Sequence, residues 1–267
     1  MSEVPRETPA APPTGLTEPS PEAPPTTVGD ADAAAWAAPS EVRRAWDPEQ
    51  VDRLERYARL LATDGVVRGL LGPREAPRLW ERHLLNCAAL TAVVPEQGSV
   101  CDLGTGAGLP GVVLAILRPE VEVVLVEPLL RRTSFLEEVV AAVGLARTEV
   151  VRARAEEVQG RVFDVVVSRA VAPLDRLLTW SMPLVAPGGE MVAMKGSRAA
   201  EEVASARDLL GRGAPGRWRA GQAEIEDLPV VGSAATTRVV RVRRLAGRPD
   251  DSRPRRPGTG RIRRSRA

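Results

Sequence analysis

The chain has 267 residues, a formal net charge of +2, 24 prolines, two cysteines and one histidine. That length allows one sizeable core with appendages, and no stretch has the apolar length of a signal-peptide core or a membrane span, so a membrane-embedded function is excluded. Cys87 and Cys101 lack metal-ligand spacing, so no metal site is expected and a reduced, cytoplasmic setting is.

Eight prolines fall within the first 30 residues, where large apolar side chains are few. Such a stretch cannot offset the entropy of ordering, so residues 1–47, with eight acids against three arginines, are expected to be a disordered acidic tail. Asp47 and Pro48 then form a helix-start signal, and Val51, Leu54, Ala58 and Leu61 recur at helical spacing. This predicts a helix over 48–62. RLWERHLLNCAALTAVV predicts a second helix over about 78–94, on which His83 shares a face with Leu79 and Asn86 and reads as a packed residue. Residues 48–98 thus form a helical lead-in.

From residue 99 short β-branched runs take over: SVCDL (99–103), EVVLVE (122–127), TEVVRA (148–153), FDVVVS (163–168) and EMVAMK (190–195). Helical patterns at 110–117, 129–143, 173–183 and 198–210 separate them. Strands alternating with helices predict a parallel sheet covered on both faces. AEIEDLPV (223–230) and TTRVVRVRRL (236–245) have only a Gly-Ser turn between them, which predicts an antiparallel hairpin at the sheet edge. The expected fold is a seven-stranded, Rossmann-like α/β sandwich, with its core over 99–246 and the whole domain over 48–246. Residues 247–267 carry eight arginines against two aspartates and are expected to be a disordered, Arg-rich tail, either solvated or a phosphate-binding footprint.

VCDLGTGAGLPG, residues 100–111, joins the first strand to the next helix. In a doubly wound sheet this turn lies in the crevice where strand order reverses and ligands bind. Gly104, Gly106 and Gly108 can take positive φ and admit a ligand to the peptide plane. Glu127, 19 residues beyond Gly108 at the end of the next strand, suits the two hydroxyls of a ribose. These features imply an adenosine-bearing cofactor of one of two classes. Gly106-x-Gly108-x-x-Gly111 matches the dinucleotide fingerprint of dehydrogenases, but begins two residues past the strand end. Gly104-x-Gly106-x-Gly108 begins at the strand end behind Asp102, as in the first motif of methyltransferases that use S-adenosylmethionine, and the terminal hairpin favours that class.

DLGTGAGLPG, VEPLLRRTSFLEEV, RAEE, VSRA and AMKG, with RHLLNC upstream, resemble the bacterial 16S rRNA (guanine-N7) methyltransferase G family, also called glucose-inhibited division protein B. The resemblance spans about residues 50–245 and implies a class I S-adenosylmethionine-dependent methyltransferase acting on 16S rRNA in the small ribosomal subunit or its assembly intermediate. It further implies that Gly104 and Leu109 contact the cofactor, that Glu127 takes the ribose, and that Ala155 and Glu156 flank the adenine. Arg169 is the remaining cofactor-site residue, with a second possible role in orienting the target base. Lys195, the single lysine of the chain, could meet an RNA phosphate or guanine O6. Arg131 and Arg132 are candidates for RNA recognition or a solvated helix face. Two further readings remain at this point, a small-molecule methyltransferase and a non-enzymatic ribosome-assembly factor that senses S-adenosylmethionine.

Overall fold

The structure, a computed structural model, describes residues 36–246 except 159, 170 and 213–217. The Pro-rich head before residue 36 and the Arg-rich tail from residue 247 lie outside the described residues.

The folded part starts earlier than expected. Helix α1 (Ser40–Ala45) lies inside the stretch read as disordered, and its Val42 is fully buried. The Ala38 N–H donates to Glu55 Oε1 at 2.8 Å, and Trp80 Nε1 donates to the Trp36 carbonyl at 3.0 Å. Ala38, Val42 and Trp46 recur every four residues, but the run is too short and too close to the Pro-rich head to stand out as a helix. They fold because distant helices offer them a surface.

Helix α2 (Pro48–Leu60) begins where Asp47 and Pro48 indicate, and the Asp47 N–H donates to Gln50 Oε1 at 3.3 Å. Its apolar stripe is buried, with Tyr57 added to the expected residues, and the helix runs on through a π-type turn at Leu61–Gly65. The second lead-in helix is interrupted. A 3₁₀ turn (Ala76–Arg78), a π turn (Trp80–Leu84), helix α3 (Leu85–Ala88) and another 3₁₀ turn (Ala89–Ala92) succeed one another. A π turn inserts an extra residue and rotates the side chains beyond it to a new direction. Leu84, Leu85, Cys87 and Ala88 all reach the core.

The sheet contains β1 (Gly98–Leu103), β2 (Val121–Val126), β3 (Thr148–Val151), β4 (Phe163–Arg169), β5 (Val185–Met194), β6 (Ala220–Pro229) and β7 (Thr236–Arg244). Their order is β3-β2-β1-β4-β5-β7-β6. The first five are mutually parallel, and β7 runs antiparallel to both β5 and β6. This is the seven-stranded α/β arrangement of class I S-adenosylmethionine-dependent methyltransferases. Helices α4 (Gly111–Leu117), α5 (Leu130–Val143), α6 (Leu174–Ser181), α7 (Ala199–Ser205) and α8 (Arg207–Arg212) complete it. Alternate strand residues feed two cores. Val123 and Leu125 face the lead-in, α4 and α5, whereas Val124 and Val126 face α6 on the opposite side.

The chain order reverses between β1, which carries β2 on one side, and β4 on the other. A crevice therefore opens at the carboxyl ends of those strands. Tyr57 of the lead-in, fully buried, donates its hydroxyl to the Ala107 carbonyl at 2.9 Å. The lead-in helices thereby brace the glycine loop.

Candidate active site

A cavity of about 750 Å³ occupies that crevice. Gly104, Thr105, Gly106, Ala107 and Leu109 line it from the loop after β1, and Glu127 from the end of β2. Ala153, Arg154, Ala155 and Glu156 contribute from beyond β3, and Arg169 and Val171 from the end of β4. Of the expected cofactor residues the structure brings together Gly104, Gly106, Leu109, Glu127, Ala155, Glu156 and Arg169. Gly108 departs from the expectation and is not on the cavity wall. A Cβ there would lie 2.6 Å from Val112 Cγ2 and 2.8 Å from the Tyr57 hydroxyl, so its bareness admits the lead-in helix.

The other glycines differ in the same way. Gly106, at φ +63°, would place a Cβ with nothing within 4 Å, on the lining of the cavity. Gly104, at φ +70°, would place one 2.8 Å from Val171. Gly111 would place one 2.3 Å from Leu125 Cδ2. Pro110 caps α4 and precedes it, where a place inside the first turn was expected.

Asp102 organises this turn from below. Fully buried, its Oδ2 accepts from Thr105 Oγ1 at 2.5 Å and from the Gly111 N–H at 2.7 Å, while Oδ1 has no partner among the described residues. Burial pushes its pKa up to about 6, against the opposing pull of those two hydrogen bonds. A carboxyl whose folded pKa is raised stabilises the fold while protonated, and this contribution is lost as pH rises through about 6. Asp102→Asn removes the titration. Relative to wild type, the variant is expected to gain up to about 3 kcal/mol between pH 4 and pH 8, by the usual free energy per pKa step. Thermal melts across that range test this, and a constant difference in Tm would contradict it.

Glu127 is also buried, and it is already engaged. Its Oε2 accepts from the Gly106 N–H at 3.1 Å and from Arg132 at 3.3 Å, and its Oε1 from the Leu129 N–H at 3.1 Å. One acceptor direction on Oε1 is left, since a carboxylate takes about four hydrogen bonds. A ligand placing two hydroxyls on Glu127 would have to displace one of these donors, of which Arg132 is the partly exposed side chain. Arg132, a candidate for RNA recognition or a solvated helix face, pairs with Glu127.

Arg169 ends β4 and lines a second cavity as well, of about 480 Å³, together with Glu75, His83, Asn86, Lys195 and Arg238. Lys195 is less free than expected. Its ammonium donates to the Ala172 carbonyl and to Glu202 Oε2, each at 2.7 Å, and is almost wholly buried. It braces the segment after β4, since Glu202 also accepts the Leu174 N–H at 2.9 Å. His83 is not merely packed. Its ring bridges Glu75 and Arg169, with Nε2 2.9 Å from Glu75 Oε2 and Nδ1 2.5 Å from Arg169 Nη2.

Leu70, Leu71 and Trp180 also line the first cavity and escaped sequence reasoning. No local pattern marks them, because the lead-in loop and α6 reach the crevice only once the sheet has formed.

Residues 50–211 match the family described as GidB, rRNA small subunit methyltransferase G. The ribosomal RNA small subunit methyltransferase G of Nocardioides sp. is 58% identical over 205 residues, covering 76% of this chain and 80% of the relative. That of Streptomyces avermitilis is 56% identical over 177 residues, covering 66% and 74%. Among solved structures, a tRNA methyltransferase from Aquifex aeolicus is similar at 14% identity over 60% of this chain and 67% of that one, with a TM-score of 0.45. Identity of this level to the two ribosomal RNA relatives, with a family match over more than half of the chain, places the chain in the rRNA small subunit methyltransferase G family.

Proposed function

We propose that this protein transfers the methyl group of S-adenosylmethionine to N7 of a guanine in 16S rRNA, within the small ribosomal subunit or its assembly intermediate. The observation that carries the reading is the meeting of two cavities at Arg169. One is walled by glycine backbone and apolar side chains with a single buried acid at its back, and the other by Arg82, His83, Lys195 and Arg238.

The first cavity fits the cofactor. Its volume lies within the roughly 300–1,000 Å³ of small-molecule sites. Gly106 leaves the space a side chain would fill, Glu127 offers an acceptor for a ribose hydroxyl, and Ala155 and Glu156 stand where an adenine would lie. When bound, the cofactor supplies a methyl group on a sulfonium. The polar second cavity suits a nucleotide, whose phosphate and base-edge acceptors need donors such as arginine.

The chemistry asks little of the protein's titratable groups. N7 of guanine presents an in-plane lone pair and carries no proton to be removed, so no general base is needed and alignment supplies the rate. The end of β4 agrees: Ser168, Arg169 and Val171 replace the Asn/Asp-Pro-Pro-aromatic signature that serves exocyclic amines. Arg169, on the wall shared by the two cavities, is the residue placed to orient the base against the methyl group.

Incubation with labelled S-adenosylmethionine and small-subunit rRNA or particles lacking the modification is expected to label the RNA at one site. Borohydride and aniline then cleave there, because only an N7-methylated guanine opens and breaks the chain. Label without cleavage would move the target to another atom. Cofactor binding without label would favour the assembly-factor reading.

A further inference from the structure

His83 is the only histidine of the chain, and the π turn Trp80–Leu84 aims it at the end of β4. Its two ring nitrogens face partners of opposite kind. Arg169 has donors and no acceptor, so the Nδ1 at 2.5 Å must present its lone pair to the guanidinium. The proton then sits on Nε2 and is donated to Glu75 Oε2 at 2.9 Å. Only the Nε2–H tautomer satisfies both contacts.

Arg169 makes no ion pair or hydrogen bond with a carboxylate among the described residues, and the buried Asp102 acts on it only through space. Its guanidinium meets His83 and, at 3.5 Å, the Sγ of the buried Cys87. Burial lifts the Cys87 thiol to about 11, so that neighbour is neutral as well. A carboxylate in either position would fix the arginine equally well but cancel its charge. A neutral imidazole fixes the direction and leaves the charge for an incoming group.

We infer that His83, set in one tautomer by Glu75, is a positioning residue that holds Arg169 as a cation with no ion-pair partner on the wall between the cofactor cavity and the polar cavity. This deepens the proposed function and rests on it. The arrangement fails when Nδ1 acquires a proton, because an N–H would then face a guanidinium. The charged groups around the ring are Glu75 and Arg82 from its own segment and Arg169 from β4. Lys195 and Arg238 line the same cavity. Burial and Arg169 hold the His83 pKa below its ordinary 6.5, with Glu75 opposing them. Arg169 therefore stays correctly held at neutral pH, and the hold is lost below pH 6.5.

Two measurements test the inference on tag-free full-length protein. Imidazole nitrogen NMR reads a single residue here, since no other histidine contributes. The Nε2–H tautomer is expected at pH 7.5, with a pKa below 6.5 that rises in Arg169→Ala. An Nδ1–H tautomer, or a titration indifferent to Arg169→Ala, would overturn the inference. In methylation assays, His83→Leu is expected to lower kcat at least tenfold with the thermal melt unchanged. His83→Gln, whose amide can accept from Arg169 and donate to Glu75, is expected to recover most of that loss. The wild-type rate is expected to fall below pH 6.5 and the Gln variant's rate to stay level there. A wild-type rate in His83→Leu, or the same acid limb in His83→Gln, would also overturn it. Absence of N7 methylation by the wild type would instead strike the proposed function, and the NMR arms would still decide whether His83 holds Arg169.

Discussion

Gly106→Val is expected to fold and to lose S-adenosylmethionine binding, with the dissociation constant raised at least about 100-fold, or nearly 3 kcal/mol. Gly106 is at φ +63° on the wall of the cavity, and its N–H is held by Glu127 Oε2. A Cβ there meets no protein atom within 4 Å, so the branched side chain does not disturb the core. It projects into the cavity proposed for the cofactor. Holding a β-branched residue at positive φ costs a further 1–3 kcal/mol or so of stability, which the fold can tolerate. Isothermal titration with S-adenosylmethionine, paired with a thermal melt, measures both effects. Unchanged affinity would remove the cofactor from this crevice.

Gly111→Val, five residues further on, is expected to do the reverse and damage the fold. Its Cβ would lie 2.3 Å from Leu125 Cδ2 and 2.7 Å from Asp102 Oδ2, inside the contact between α4 and the sheet. Neither neighbour can retreat, because Leu125 and Asp102 are both fully buried. The expected loss is at least about 3 kcal/mol, which for a domain of this size lowers Tm by about 6–12 °C. A melt settles it, and a Tm within about 2 °C of wild type, or under 1 kcal/mol, would contradict the packing. The glycine that completes the dinucleotide-type spacing is therefore a packing residue. The one that faces the open cavity is Gly106.

Much of this was legible from local pattern. Asp47 and Pro48 marked the start of α2, and the alternation of β-branched runs with helical spacing marked β1 to β5 and the closing hairpin. These features arise from the intrinsic preferences of short segments and from which face each segment can bury. The glycine loop and Glu127 were legible too, because a strand, a tight turn and an acid at the next strand end form a nearly contiguous signal.

The division of labour among those glycines was not. Gly106 and Gly108 look alike in sequence, yet one faces open space and the other faces Tyr57, which stands 51 positions earlier in the chain. Helix α1 was missed for a related reason, since its six residues are too few to bury themselves and its Val42 is covered only by the rest of the lead-in. Lys195 looked like a substrate ligand until Glu202 and the Ala172 carbonyl were seen to hold it. His83 looked like a packed residue until β4 brought Arg169 to its ring. Secondary structure and the cofactor loop depend on interactions between near neighbours, so composition and spacing carry them. Which side chains are free to act depends also on partners outside their own element, from Glu202 seven residues past Lys195 to Arg169 86 residues past His83, and only the closed sheet brings them within hydrogen-bonding distance.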